Sequence, residues 1–389
     1  MRRMPVPSGT FTAGMPMPHK PIALAIDART ASDHFPGIGR VVSALAHAWA
    51  DNPRISRLHI FTNPARQNSY LRLPTPSERV IQHALHAVPG SFAEGQQLRR
   101  TANTLAVDWV YSPYLLLPWG RFHARTLVTV HDAIPLTMPQ TAFQTRFAFL
   151  VALRIIAARA TCLTTVSDAA AASITPFIWP HRAPTVVPNG VDERFFTPSA
   201  DHSTYSTHMP YALCVSSNQP HKNLATLITA WQRLADAQTL GPRATLLIAG
   251  AINRTRAQPW LTAAHCRYPI IHLGSPSDAQ LSALYQHAHL VVQPSVAEGY
   301  GLPVLEALAS GAPVLCHDLP VYHTTAGAAV MARDLREPAD IAAAIASLWY
   351  DAPRRAQLRH EGPIQARRAD WNVSADALLD IMQKNTSCQ

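Results

Sequence analysis

Short apolar runs, each followed by a segment whose apolar residues recur every three or four positions, alternate along most of the chain. The run PIALAID, Pro21 to Asp27, precedes Gly37 to about Asp51 (GIGRVVSALAHAWAD), and this order predicts a strand, a glycine loop and a helix. The pattern returns at LHIFTN near residue 60, at DWVYSP (Asp108 to Pro113), at TLVTVHDA (Thr126 to Ala133) and at CLTTVSDAAAASI (Cys162 to Ile174). Short apolar strands alternating with helices predict a parallel sheet covered on both faces.

From Thr197 to Met209 (TPSADHSTYSTHM) the apolar periodicity stops and Ser, Thr, Pro and His take over, which reads as an interdomain linker. Beyond it the alternation resumes with YALCVSS, ATLLIAG, IIHLGS, LVVQPS and APVLCHD, with helical segments at Asn223 to Ala235 and Ser277 to His287. A length of 389 residues suits two domains of roughly 150 to 200 residues each. The expected division is a first domain over 1–196, a linker over 197–209 and a second domain over 210–363. A helical segment over 364–389, with a break near Asn372, is expected to cross back to the first domain.

Composition narrows the class. At 48% hydrophobic and 15% charged residues, the chain is that of a folded globular protein rather than a disordered one. Lys and Arg exceed Asp and Glu by nine, which favours phosphorylated substrates, anionic lipid headgroups or polyanions as partners. Nucleic acid is set aside, because the arginines are scattered and no docking module is present. The five cysteines are dispersed without a Cys-x-x-Cys pair, so neither disulfides nor a zinc site is expected, and a reducing cytoplasm fits. No apolar run of about 18 residues occurs, and the segment MRRMPVPSGTFTAGMPMPHKP lacks the apolar core of a signal peptide. A soluble or peripheral protein is expected.

In open parallel sheets ligands bind beyond the carboxyl ends of the strands, so the residues there are the candidates for chemistry. Gly37 and Gly39 form a glycine loop entering a helix, where backbone N–H groups can approach an anion. His131 and Asp132 directly follow LVTV; a histidine there can donate to a sugar hydroxyl or phosphate, or close the loop with a structural hydrogen bond. The loop from Ser216 to Leu224 (SSNQPHKNL) brings Ser217, His221 and Lys222 to a helix start, where an unpaired lysine would oppose the helix dipole and a diphosphate would accommodate it. The segment EGYGLPVLE places Glu298 in a glycine loop after a buried strand, Pro303 in the first turn of a helix and Glu306 about one turn in. Free N–H groups from Gly299 through Tyr300 and Gly301 to Leu302 suit phosphate or hydroxyl oxygens, and the two carboxylates can accept from sugar or ribose hydroxyls.

With Glu298, seven residues and Glu306 in its second half, the chain resembles the family 4 retaining glycosyltransferases of GT-B fold, bacterial polysaccharide mannosyltransferases among them. The likeness runs from GIGR at Gly37 through VHD, TVSDAAAASI and VVPNGVDERFF to ARRADWNVSADALLDIM. It implies an α/β architecture of two Rossmann-like doubly wound domains facing a central cleft. It implies transfer of a sugar from a nucleoside diphosphate to an acceptor hydroxyl with retention, the donor on the second domain and the acceptor on the first. Lys222 would contact the diphosphate, Glu298 the transferred sugar, Glu306 the ribose, and the Gly299 to Leu302 backbone the sugar and phosphates, with His131 facing the sugar across the cleft. Glu298 would position and stabilise charge rather than attack, since the family is described by front-face attack assisted by the leaving phosphate.

The chain departs from the family where many members carry an arginine close to the lysine; Ser217 and His221 stand there instead. Protonated His221, or Arg254 or Arg256 in the AINRTRA loop, could replace that charge. No Asp-x-Asp motif occurs, so neither a metal nor another cofactor is expected. The stretch Arg146 to Arg159 is apolar with interspersed arginines, a pattern able to lie at an anionic membrane surface or to pack as a core helix. The expected acceptor is a polyprenyl-diphosphate-linked glycan at the inner face of the cell membrane. GDP-mannose is the first expectation for the donor, a UDP- or dTDP-sugar the second. A sugar-nucleotide epimerase of similar fold and a non-enzymatic polyanion-binding scaffold are the competing classes.

Overall fold

A computed structural model describes residues 20–31, 36–66, 71–115, 117–118, 120–178, 183–199, 210–252 and 267–386. The first half forms a parallel sheet of seven strands: β1 (Ile22–Asp27), β2 (Ile55–Thr62), β3 (Val80–Ala84), β4 (Trp109–Ser112), β5 (Arg125–Thr129), β6 (Cys162–Thr165) and β7 (Thr185–Val186), in the order β3-β2-β1-β4-β5-β6-β7. The second half forms another of six: β8 (Tyr211–Val215), β9 (Thr245–Ala249), β10 (Ile270–His272), β11 (Leu290–Gln293), β12 (Val314–His317) and β13 (Met331–Arg333), in the order β10-β9-β8-β11-β12-β13. Every strand pair is parallel, and each order reverses direction beside its first strand, as in doubly wound folds. Central strands such as Val110 to Ser112 and Leu290 to Gln293 are buried throughout, which is why they read as continuous apolar runs.

Helix boundaries follow local chemistry. Ser277 caps the helix Asp278–His287 with a reciprocal capping box to Gln280, and Ser167 caps Asp168–Ile174 through the Ala170 N–H. Three expectations shift. The first helix runs Pro36–Ala50, so Gly37 and Gly39 lie in its first turn, not in a loop before it; the loop residues 32–35 lie outside the described residues. The expected break near Asn372 falls earlier, between the helices Ala352–Ala366 and Trp371–Thr386, and Asn372 is inside the second of these. Of the linker, residues 200–209 lie outside the described residues.

The two halves share one apolar core, in which Leu136, Val166 and Phe195 of the first meet Tyr285, Tyr300 and Leu305 of the second. The last helix, Trp371–Thr386, packs against Pro36–Ala50: Leu378, Leu379 and Met382 join its core, and Trp49 Nε1 donates to the Ala375 carbonyl at 3.2 Å. Trp109 Nε1 donates to Thr386 Oγ1 at 3.0 Å and Ser374 Oγ to the Pro188 carbonyl at 2.6 Å, so the chain's final described element is fixed to the first sheet. This arrangement turns the carboxyl ends of both sheets toward one cleft.

Candidate active site

Four loops converge at that cleft, each leaving the carboxyl end of a strand: residues 130–133 after β5, 166–167 after β6, 216–223 after β8 and 294–301 after β11. Gly299 is held at the centre. A β carbon on it would lie 2.2 Å from the His131 carbonyl oxygen and 3.2 Å from Asp132 Cβ, so only glycine admits this approach of the two domains. Ser167 Oγ donates to the Gly299 carbonyl at 2.7 Å, and the Tyr300 hydroxyl donates to the Asn189 carbonyl. Gly301 ends the loop at φ +88° and starts the helix Leu302–Ala309, with Pro303 in its first turn; a β carbon here would meet Tyr322 at 2.4 Å. The Val304 and Leu305 N–H groups of that helix bond to the Gly301 carbonyl at 3.0 and 3.3 Å, and Pro303 has no N–H to leave unpaired.

Lys222 Nζ lies 2.7 Å from Glu298 Oε1, and the Glu298 side chain is 8% exposed. Burial raises the Glu298 carboxyl, but the charge and hydrogen bond of Lys222, with His221 and the Ser295 hydroxyl, hold it below its ordinary value. Lys222 ends a short 3-10 turn, Pro220–Lys222, and Asn223 in the left-handed region (φ 55°) separates it from the helix Leu224–Asp236. The lysine therefore stands before that helix rather than inside its first turn. The His221 carbonyl accepts from the Val296 N–H at 2.8 Å, which ties the lysine loop to the glutamate loop. The Ser216 hydroxyl donates to the Ser217 carbonyl at 2.8 Å within the same turn.

Two expected donor groups change character. His131 Nε2 lies 2.7 Å from the Pro113 carbonyl, which can only accept, so this nitrogen carries the proton. Burial lowers the imidazole and keeps it neutral, leaving Nδ1 as an acceptor toward a hydroxyl rather than a donor toward a phosphate. Burial and then the charge of Lys222 push His221 down to about 4, which works against its expected role as a protonated second cation. Arg254 and Arg256 lie outside the described residues. Asp132 accepts from the Ile134 N–H at 2.9 Å; burial and the nearby Glu298 raise its carboxyl, opposed by His131 and Lys222.

Glu306 is paired across the cleft. Arg40 Nη1 lies 2.5 Å from Glu306 Oε1, and the Tyr285 hydroxyl donates to Oε2 at 3.3 Å. Burial and the neighbouring Asp278 and Asp192 outweigh Arg40 and Tyr285, and the Glu306 carboxyl is pushed up to about 7. Gly37 packs beside Leu302, the start of the Glu306 helix. A small pocket of about 30 Å³ opens here, lined by Arg40, Arg194, Asp278 and Glu306 among others. Sequence reasoning missed Arg40, Asp278, Ser167 and Asn189; of these, Arg40 stood next to the glycines and Ser167 and Asn189 lay in quoted motifs, but nothing local marked their partners. Among the described residues no group of three or more His, Cys, Asp or Glu side chains is placed to hold a metal ion.

Two doubly wound parallel domains meeting over a cleft, with a lysine, a glutamate and a glycine-led helix start at the strand ends, define the GT-B class of glycosyltransferases. Residues 36–195 match the model described as Glycosyltransferase Family 4 and residues 202–365 the one described as Glycosyl transferases group 1. The chain belongs to this family of glycosyltransferases. It is 27% identical over 198 residues to O-antigen chain mannosyltransferase RfbU of Salmonella typhimurium, covering 50% of this chain and 53% of that protein. It is 30% identical over 172 residues to O-antigen chain mannosyltransferase B of Escherichia coli, covering 41% of this chain and 42% of that one. The chain thus spans about half the length of the curated relatives it matches, or less. The fold is shared with sucrose-phosphate synthase from Thermosynechococcus elongatus (TM-score 0.76, 18% identity, 95% of this chain and 100% of that one). It is shared as well with WaaG, a glycosyltransferase involved in lipopolysaccharide biosynthesis (TM-score 0.70, 15% identity, 92% and 99%).

Proposed function

We propose that the protein is a retaining hexosyltransferase that moves α-mannose from GDP-mannose to a lipid-diphosphate-linked oligosaccharide in bacterial surface polysaccharide assembly. The observation that carries the transferase reading is the Lys222–Glu298 pair, partly buried at 2.7 Å beside the glycine-led helix start. In this reading the donor diphosphate sits on Lys222 and the N–H groups from Gly299 to Leu302, and Glu298 faces the sugar. The acceptor hydroxyl oxygen bonds to the anomeric carbon as the bond from that carbon to the phosphate oxygen breaks, and the hydroxyl proton passes to the departing phosphate. Lys222 and the backbone N–H groups stabilise the charge gathering on that phosphate without a metal ion. His131, neutral and accepting at Nδ1, orients a hydroxyl across the cleft.

Mannose is supported by the names of the relatives, two of them O-antigen chain mannosyltransferases. A bilayer-bound acceptor is supported by the helix Phe143–Arg159, which leaves Phe143, Phe147 and Val151 exposed at four-residue spacing, at 80%, 59% and 38%. No described helix is long and apolar enough to cross a membrane. This surface and the basic charge balance support a location at the inner face of the cell membrane.

The test is product analysis with GDP-mannose, UDP-glucose and dTDP-rhamnose in separate reactions, each with a polyprenyl-diphosphate glycan. GDP-mannose should release GDP and give an α-linked product, and Glu298→Gln, with an unchanged circular dichroism spectrum, should lose at least about a hundredfold in rate. Turnover of a UDP- or dTDP-sugar alone would replace the donor; an epimerised sugar without transfer, or full activity in Glu298→Gln, would remove the reading.

A further inference from the structure

Asp278 and Glu306, on two helices of the second domain, face three arginines of the first. Arg40 lies 3.2 Å from Asp278 Oδ1 and 2.5 Å from Glu306 Oε1; Arg72 reaches Asp278 Oδ2 at 3.4 Å, and Arg194 pairs with the same oxygen. Of the three, Arg40 is the one that the structure pairs with Glu306 as well. Its helix also abuts Leu302, the last residue of the expected phosphate loop. Arg40 follows Gly37 by one turn on the helix Pro36–Ala50, and a β carbon on Gly37 would be 3.8 Å from Leu302 Cδ1, so the first turns of the two helices abut.

The charge around that site is unbalanced for an anion. Lys222 is matched by Glu298 at 2.7 Å, the Asp132 carboxyl stands near both, and burial works against a charge on His221. A nucleoside diphosphate brought into this space needs a second cation. An arginine suits the task, because its planar fork can donate two parallel hydrogen bonds to phosphate oxygens.

We propose that Arg40 is a donor-positioning residue that supplies this second cation from the opposite domain: on donor binding its guanidinium leaves Glu306 for the diphosphate and frees Glu306 to accept from the ribose hydroxyls. The proposal rests on the nucleotide-sugar reading of the cleft. It explains how a chain with Ser217 and His221 beside its lysine can still hold a diphosphate, and it couples donor binding to contact between the domains. Because the same side chain bridges both states, the unliganded cleft keeps Glu306 paired instead of leaving a lone buried carboxylate.

Isothermal titration with GDP, GMP, UDP and UMP tests it. The parent should bind the diphosphate of its preferred nucleoside more tightly than the monophosphate. Arg40→Gln should narrow that gap by about tenfold or more, Arg40→Lys should keep part of it, and Glu306→Gln should weaken both ligands by a similar factor. Arg72→Gln and Arg194→Gln, which leave the Arg40–Glu306 pair in place while removing contacts to Asp278 and, for Arg194, Asp192, should leave the gap at its parental size. If Arg40→Gln unfolds for want of a partner to Glu306, the double variant Arg40→Gln, Glu306→Gln removes both charges and should still lack the gap. The proposal is overturned if Arg40→Gln, or the double variant where Arg40→Gln does not fold, keeps the parental gap, or if Arg72→Gln or Arg194→Gln narrows it equally. Should the parent bind none of the four nucleotides, the nucleotide-sugar reading fails and the proposal with it; a parental gap retained in Arg40→Gln removes the proposal alone.

Discussion

Arg29 sits 2% exposed between Asp27 at 2.6 Å and Glu94 at 3.4 Å, at the end of β1, with Asn63 and the Gly90 N–H satisfying the rest of Glu94. Removing the cation from such a group leaves carboxylates buried without compensation. Arg29→Met should therefore lower the unfolding free energy by about 3–5 kcal/mol in urea titration, and a change under about 1 kcal/mol would show that the cluster is not structural. Lys222→Met should behave differently with pH. In the parent, the Glu298 carboxyl lies below its unfolded value, so its stabilisation is present above the ordinary carboxylate range and is lost as pH falls through the folded value. Without Lys222 burial dominates and raises the carboxyl, so the cost of ionising it grows as pH rises. The stability gap between parent and Lys222→Met should widen from pH 4.5 to pH 7, measured as unfolding midpoints; a gap independent of pH would contradict the pairing. Glu298, Glu306 and Lys222 were legible in the sequence because strand-end position and spacing mark them. The partner of Glu306 was not, since Arg40 lies 266 residues away and only the fold brings the two together.

At the scale of elements, the loop from Glu298 to Gly301 depends on two glycines for different reasons. Gly301 needs its positive φ, whereas Gly299 needs the absence of a β carbon against the His131 carbonyl. Gly299→Ala should push the 294–301 loop away from the first domain, break the Ser167 hydrogen bond to its carbonyl and reduce transfer by at least about tenfold, with a lowered melting temperature. Steady-state rates and calorimetry together check this; an unaltered rate would mean that the close approach is dispensable. The order of strands and helices was legible from period alone, as β1, β2, β4, β5, β6, β8, β9, β10, β11 and β12 each coincide with an apolar run. Others were not. β3 (VIQHA) alternates in burial instead of running apolar, and β7 and β13 have only two and three residues, so their pairing comes from the sheet and not from their own sequence. The glycine loop at Gly37 was misplaced because Pro36 begins the helix, and proline fits a first turn as readily as a loop.

Across the whole molecule, the two sheets are joined by a shared core, by the arginine and carboxylate cluster at Asp278 and Glu306, and by a last helix that returns to the first domain. Gly190 marks one of these joints, since a β carbon there would fall 2.3 Å from the Trp371 nitrogen. The exposed stripe Phe143, Phe147 and Val151 lies on the first domain, on the helix whose inner face buries Leu153 and Ile156. The sequence left that helix between a core role and a membrane role, and the fold shows why: one end of it is packed and the other bare. Replacing Phe143 and Phe147 together by Ser should reduce sedimentation with anionic vesicles several-fold while leaving the melting temperature unchanged, since neither ring is buried. Equal sedimentation of parent and variant would place the bilayer contact elsewhere. The central claim, that the Lys222 and Glu298 cleft binds a nucleoside diphosphate sugar, is tested most directly by thermal unfolding of the parent and Lys222→Met with GDP-mannose, UDP-glucose and dTDP-rhamnose. One sugar nucleotide at about 100 times its dissociation constant should stabilise the parent by about 2.7 kcal/mol, seen as a raised melting temperature, and should leave Lys222→Met unchanged. No rise with any of the three, or an equal rise in both proteins, would contradict the account.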